Sequence, residues 1–252
     1  MPRGYFSATM GRISFFFFSE MTKHTRENFI VTADDYGIRQ TAEPILRLVH
    51  EGKVDRVAVL IHYVSYDQAQ ALKASGVKID LHLELIGLLK SGSKVKESAL
   101  LRGINFFMRY YTGLLTVKKI EAEWRDQILR FQELFGRLPD GLNSHEHLHF
   151  FPAFSKVFVK LAQEYGARYV RFSKKGMILP LDFNLIARML DAFWKRTTKL
   201  YQGASFETSD YLVSLDWIDD FGVFSQELPE GTVELVVHLE REEDYRAMLE
   251  YF

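Results

Sequence analysis

From Phe29 onward, short apolar runs of strand length alternate with segments of helical periodicity, and this alternation constrains the fold most strongly. The strand candidates are Phe29–Ala33, Val54–Ile61, Val77–Leu85, Gly141–His147, Ala167–Ser173, Tyr211–Asp216 and Thr232–Leu239. Between them lie helical patterns at Thr41–Glu51, Tyr66–Ser75, Val117–Phe135 and Pro152–Tyr165. In the third of these, Ile120, Trp124, Ile128, Phe131 and Phe135 recur on one stripe that stops at Gly136, the signature of a core-facing helix. Pro152 suits the first turn of its helix. Strands joined through helices run parallel. The expectation is therefore an α/β fold, an irregular TIM-like (β/α) barrel of about seven parallel strands forming a single domain over residues 29–252. The glycine-rich dinucleotide fingerprint is missing after the first strand, where Asp34-Asp35-Tyr36-Gly37 stands instead, which argues against a Rossmann oxidoreductase.

Composition narrows the partners. The chain of 252 residues is 47% hydrophobic and 26% charged, as expected of an ordinary globular protein. Its formal net charge of -1 gives no electrostatic ground for nucleic acid or an anionic membrane as partner. Without cysteine there is no disulfide, thiol nucleophile or thiolate zinc site; the redox compartment stays open and a cytoplasmic location is the default. No stretch approaches the roughly 20 apolar residues of a transmembrane segment. Residues 1–28 differ from the rest. Arg3 and Arg12 precede an apolar run, Ile13–Phe18, shorter than the roughly 7–15 residues of a secretory core. They read as a poorly ordered extension, with Met21 the more natural start. Leu85–Leu115, with Phe106, Phe107, Met108, Tyr110 and Tyr111, is open between a substrate-covering loop, a homodimer contact and a packed excursion.

The chemistry concentrates in a few places. Asp34 and Asp35 sit side by side where an apolar run meets a turn, an expensive place for two unpaired carboxylates. A metal ion supplies the missing positive charge. In Val77–Leu85 the odd positions are all Val, Ile or Leu, while Lys78, Asp80, His82 and Glu84 share the other face. In a barrel that face points inward, and His82 points toward the mouth. The last strand repeats the arrangement with Glu234, Val236, His238 and Glu240 on one face. A lone histidine is more often structural than functional, but two on polar strand faces reverse those odds. His145, His147 and His149 share a strand parity just before Pro152, at the barrel end where catalytic residues gather. One or two of the three are expected to bind an ion, the others to support it or touch substrate.

Thr32-Ala-Asp-Asp-Tyr-Gly37, Leu81-His-Leu83 and Asn143-Ser-His-Glu-His-Leu-His149 together resemble the three signature blocks of the YdjC/ChbG-like carbohydrate deacetylases, a group that includes the hopanoid-associated HpnK branch. The resemblance spans roughly Phe29 to Phe172, with a weaker match at His238. It implies an irregular TIM-like barrel that removes N-acetyl groups from amino sugars with one divalent metal. By motif, Asp34 resembles the catalytic base, Asp35, His82 and His145 the metal ligands, and His238 the late histidine. In the family that histidine usually precedes Pro-Gly; here Leu239 and Glu240 follow it, and the chain ends at Phe252.

The expected activity is metal-assisted amide hydrolysis on an acetylated amino sugar or glycan, free or lipid-linked. Asp34 acts as base, His238 or His149 as acid, and His147, His149 and Arg171 support the site or contact substrate. Magnesium and zinc lead among the metals that carboxylate and imidazole ligands admit; manganese, cobalt and nickel remain open. Two alternatives stand beside it. One is a metal-dependent phosphoesterase using Arg171 and Lys174. The other is a catalytically degenerate sugar-binding protein, suggested by the altered turn after His238.

Overall fold

In a computed structural model, the described residues are 26–38, 40–89, 108, 110–180 and 184–252. The expected extension over residues 1–28 lies almost wholly outside them, as does much of Leu85–Leu115. Eight parallel strands form one sheet: β1 (Phe29–Tyr36), β2 (Arg56–Val59), β3 (Lys78–Leu83), β4 (Gly141–Ser144), β5 (Tyr169–Val170), β6 (Gly176–Met177), β7 (Tyr211–Ser214) and β8 (Val233–Val237). Their spatial order is β5-β4-β3-β2-β1-β8-β7-β6. The sheet curls into an irregular, TIM-like barrel, so the α/β expectation holds. One strand more than expected appears because a second short piece, β6, follows β5 just past the expected run Ala167–Ser173. Ser173, at φ 66, sits between them.

That break brings the ends of the sheet together. Tyr169 in β5 forms a parallel bridge with Glu207, and Val170 N–H donates to the Glu207 carbonyl at 3.0 Å. A few residues on, Lys174 and Lys175 N–H donate to the carbonyls of Ser209 and Asp210, leading into the β6–β7 pairing. One stretch of chain, Glu207 to Leu212, thus borders both terminal strands.

The helices bury the outer face of the sheet. α1 (Ala42–His50) and α2 (Tyr66–Ala74) follow β1 and β2, and a single turn, α3 (Ile86–Leu89), follows β3. Ser65 begins α2 with a complete capping box, its hydroxyl accepting from Gln68 N–H and the Gln68 side chain accepting from Ser65 N–H. α4 (Val117–Phe135) follows, capped by Thr116 and stopped by Gly136 at φ 69. Its stripe Ile120, Trp124, Ile128, Phe131 and Phe135 is fully buried, as its periodicity demands. α5 (Pro152–Glu164) and α6 (Leu185–Gln202) cover the next strands, α7 (Phe221–Gln226) follows β7, and α8 (Glu242–Tyr251) closes the chain. Among the described residues no helix is long and apolar enough to cross a membrane.

The inner face is different. Arg56 of β2 donates to Asp80 of β3 at 2.8 and 2.5 Å, and its guanidinium lies 3.9 Å from the ring centroid of Tyr169. Tyr169 donates its hydroxyl to Glu234 of β8 at 2.6 Å. β5 and β8 are remote in sheet order, so this bond crosses the interior. The polar positions of β3 and β8 therefore face inward, as the parity of their sequences requires. A buried charge costs several kcal/mol unless paired, and these are paired.

Candidate active site

Two consecutive residues of a regular strand point to opposite faces, so Asp34 and Asp35 should not meet. The backbone solves this with a bulge. β1 pairs with β2 through Ala33↔Val57 and then Tyr36↔Val59, a register shift that leaves Asp34 and Asp35 between the two pairings. Asp35 takes φ 63, a left-handed value uncommon outside glycine, and both carboxylates end up buried on the inner side. Gly37, at φ 103, completes the turn beside the Tyr63-Val64 backbone.

Asp35, His82 and His145 converge. Asp35 Oδ1 lies 3.0 Å from His145 Nδ1 and 3.4 Å from His82 Nε2. Asp35 and His82 are almost fully buried, while the His145 side chain is 24% exposed and marks the open side. Two donors each about 2.1 Å from a shared ion are about 3.0 Å apart at a right angle and about 3.4 Å at the tetrahedral angle, so the trio fits one divalent cation. His82 adds an independent reason. Its Nδ1–H donates to Asn143 Oδ1 at 2.5 Å, so Nε2 is turned to the carboxylates of Asp35 and, at 3.7 Å, Asp34. An oxygen acceptor behind the ring is the usual support of a metal-binding imidazole.

The electrostatics agree. Burial works against the charge on Asp35, but the hydrogen bonds and charges of His145 and His82 hold it well below the usual carboxylate range. Burial likewise opposes a proton on His145, and Asp35 outweighs it, pushing this imidazole up to about 9. A metal ion would occupy the position that this proton serves.

Asp34 has a different partner. Burial would raise its pKa, yet the guanidinium of Arg171, with His82, holds it below the usual carboxylate range. Arg171 is itself fully buried and donates from both terminal nitrogens to the two oxygens of Asp34, each at 2.7 Å. Its Nε donates to Glu234 Oε1 at 2.7 Å. Each Asp34 oxygen keeps a second lone pair. The guanidinium is therefore engaged by two carboxylates and is not free for a phosphate, which removes Arg171 from the phosphoesterase alternative.

The His145–His149 segment departs from its expected strand. β4 ends at Ser144, and His145–Phe150 is a tight 3-10 turn in which Glu146 (φ 53) and His147 (φ 52) are left-handed. Shared parity is therefore lost, and of the three histidines His145 alone joins the cation trio. His149 is fully buried; its Nδ1 accepts from Ser144 Oγ at 2.7 Å and its Nε2–H donates to the Arg171 carbonyl at 2.8 Å. Burial, with His147 and Arg171 nearby, depresses its pKa far below the ordinary value, so it stays neutral. With both nitrogens engaged it has no proton to give, and it drops out as an acid. It fixes the backbone of Arg171 instead. His147 is kept neutral too, pulled down to about 3 by burial and by the charge of Arg171, and its buried Nδ1 meets no partner among the described residues.

His238 follows β8 at the same end of the barrel. Where Pro-Gly is missing, its N–H donates to Asp244 Oδ2 at 2.8 Å and its carbonyl accepts from Arg241 N–H at 2.9 Å. Arg241 and Asp244, at the start of α8, thus fix this turn without Pro-Gly. Asn143, Glu234 and Tyr169 were not singled out from sequence as site residues. Asn143 lay inside a quoted motif and Glu234 on the polar face of its strand, so period and motif held a usable signal for both; nothing marked Tyr169. A second histidine–carboxylate group joins His62 and Glu84, which follow β2 and β3, to Glu123 of α4. Arg130 can only donate to His62 Nδ1, at 3.3 Å, so His62 Nε2–H donates to Glu123 at 3.0 Å and the group closes as a hydrogen-bonded one.

Fold and site together define a parallel α/β barrel with a carboxylate–imidazole cluster at the carboxyl ends of its strands, the end at which such barrels act. The chain belongs to the YdjC-like protein family, whose profile matches residues 28–247. It is 32% identical over 151 residues to a carbohydrate deacetylase of Danio rerio, covering 56% of this chain and 48% of that protein. It is 30% identical over 143 residues to a chitooligosaccharide deacetylase of Escherichia fergusonii, covering 54% and 56%. The chain thus spans about half the length of the curated relatives it matches. Among solved structures, a protein of Enterococcus faecalis proposed to cleave cellobiose phosphate superposes with a TM-score of 0.57 at 17% identity, over 88% of this chain and 87% of that one, which supports the fold.

Proposed function

We propose that this chain is a carbohydrate deacetylase that hydrolyses the N-acetyl group of an amino sugar or oligosaccharide with one divalent ion. The observation that carries it is the division between the adjacent aspartates: Asp35 converges with His82 and His145, while Asp34, beside them, is turned to Arg171. The names of the relatives point to the same chemistry. Asp35, His82 and His145 would hold the ion, and two imidazoles with one carboxylate favour zinc over magnesium. When bound, the ion supplies Lewis-acid polarisation of the acetyl carbonyl and of the attacking water.

The chain's own residues supply the proton transfers. Asp34, held by Arg171, takes a proton from the water on its free lone pairs. His238, on the other side of β1 at the mouth, gives a proton to the leaving amine. His147, neutral and held in a left-handed backbone, presents an imidazole edge to the substrate. The test is acetate release from N-acetylglucosamine oligomers, with and without added zinc or magnesium, by wild type and Asp34→Asn. A loss of two or more orders of magnitude in kcat is expected of a missing base; equal activity would remove Asp34 from that role.

A further inference from the structure

Arg171 faces Asp34 on one side and Glu234 on the other, and Glu234 has no counterpart among the groups assigned above. Its carboxylate is wholly buried on the inner face of β8. It accepts from Thr32 Oγ1 at 3.0 Å, Tyr169 Oη at 2.6 Å and Arg171 Nε at 2.7 Å. The contact with Arg171 is an ion pair between two wholly buried side chains. A buried carboxylate joined to the cation trio only through Arg171 and Asp34 needs an explanation, since a hydrophobic residue of similar volume is often as good for stability.

Asp34 shows what is at stake. Its Oδ2 lies 3.7 Å from His82 Nε2, little farther than the 3.4 Å of Asp35 Oδ1. A small rotation would make it another ligand. Arg171 prevents this by donating to that same oxygen. A guanidinium held only by Asp34 would leave the pair neutral, and Asp35 as the lone uncompensated carboxylate facing a divalent ion. Glu234 restores the balance: three carboxylates against one guanidinium leave two negative charges, the number a divalent ion neutralises. The neighbouring Arg56–Asp80 pair adds none.

We propose that Glu234 is a positioning residue that serves the ion through Arg171: it anchors the Nε edge so that both terminal nitrogens stay on Asp34, and it matches the charge of the pocket to a divalent cation. This deepens the deacetylase reading and rests on its metal site.

The experiment is calorimetric titration of zinc into chelator-treated protein, with folding checked by thermal unfolding without metal. Glu234→Gln should bind on the order of tenfold or more weaker than wild type, because a unit charge in a low-dielectric interior acts over several ångströms. Glu234→Asp, which keeps the charge, should recover most of the affinity. Tyr169→Phe, which removes a hydrogen bond to the same carboxylate but no charge, should stay within about twofold of wild type on this account. The double variant Arg171→Met/Glu234→Gln returns the pocket to two negative charges and should bind more tightly than Glu234→Gln; it also supplies the measurement if Glu234→Gln does not fold. Wild-type affinity in folded Glu234→Gln, or no recovery in the double variant, overturns the proposal and leaves the deacetylase reading standing. Failure of the wild type to bind zinc or any other divalent ion overturns both.

Discussion

Replacing Arg171 with methionine should destabilise the chain through the charges it leaves behind. The guanidinium is wholly buried and makes three hydrogen bonds of 2.7 Å, two to Asp34 and one to Glu234, whose carboxylates are themselves 2% and 0% exposed. Removing one partner of such a buried pair costs about 3–5 kcal/mol, against roughly 5–15 kcal/mol for a whole domain. Methionine fills most of the volume, so the loss is chiefly electrostatic. That predicts a pH signature. In the wild type, Arg171 depresses the folded pKa of Asp34, so that stability is present above the unfolded value of 3.8 and is lost on acidification below it. In the variant, burial is no longer opposed by Arg171 and raises the folded pKa of Asp34, so the variant loses stability as pH rises. The gap between the two proteins should therefore narrow from pH 7 to pH 5. Urea unfolding of metal-free protein, followed by circular dichroism, measures it. A double-mutant cycle with Asp34→Asn should give a coupling of about 3 kcal/mol, from two charge-assisted bonds at about 1.5–3 kcal/mol each. A loss under about 1 kcal/mol with an unchanged m-value would refute the reasoning.

His149 predicts a second pH effect: neutral when folded and protonatable when unfolded, it makes stability fall as pH drops below about 6.5, by up to about 1.4 kcal/mol per pH unit. The slope between pH 6.5 and 5 should flatten in His149→Asn. Gly37→Ala should lower the melting temperature by several degrees, because a Cβ would lie 2.5 Å from Val64 Cγ2 at φ 103, and should also reduce zinc affinity by shifting the Asp35 turn. Trp124→Ala should cost about 3–5 kcal/mol in denaturant unfolding. Trp124→Phe should cost less than half of that, since the buried Nε1 of Trp124 has no partner to lose among the described residues and its ring packs on Phe154 and Phe158.

Periodicity made most of the fold legible. The helix at Val117–Phe135 has its predicted bounds because a five-residue apolar stripe, a threonine cap and a terminal glycine all specify the same segment. The inward histidine of β3 was readable because its strand alternates without exception over nine residues, Val77 to Leu85. The run Ala167–Ser173 reads as one strand, but only Tyr169 and Val170 of it form β5, and β6 starts three residues beyond its end. Left-handed Ser173 lies between the two, and serine does not announce that conformation as glycine would.

The site was legible in its residue types and not in its geometry. Adjacent aspartates on a regular strand face opposite sides, and three histidines on alternate residues face the same side; the structure does neither. Of the six non-glycine residues with positive φ among those described, Asp35 and His147 belong to the site, Glu146 lies between its histidines and Ser173 stands two residues after Arg171. Each such residue costs about 1–3 kcal/mol unless its surroundings compel it. Their concentration here means that local strain is being traded for convergence: Asp35 is turned inward, His145 is turned onto it, and Arg171 is carried across the barrel to Asp34. Local rules fail where the chain has to assemble charges that a regular strand would keep apart. The buried anion at Glu234 belongs to the same logic, because a pocket strained into gathering two carboxylates and a guanidinium needs one further charge before it matches a divalent ion.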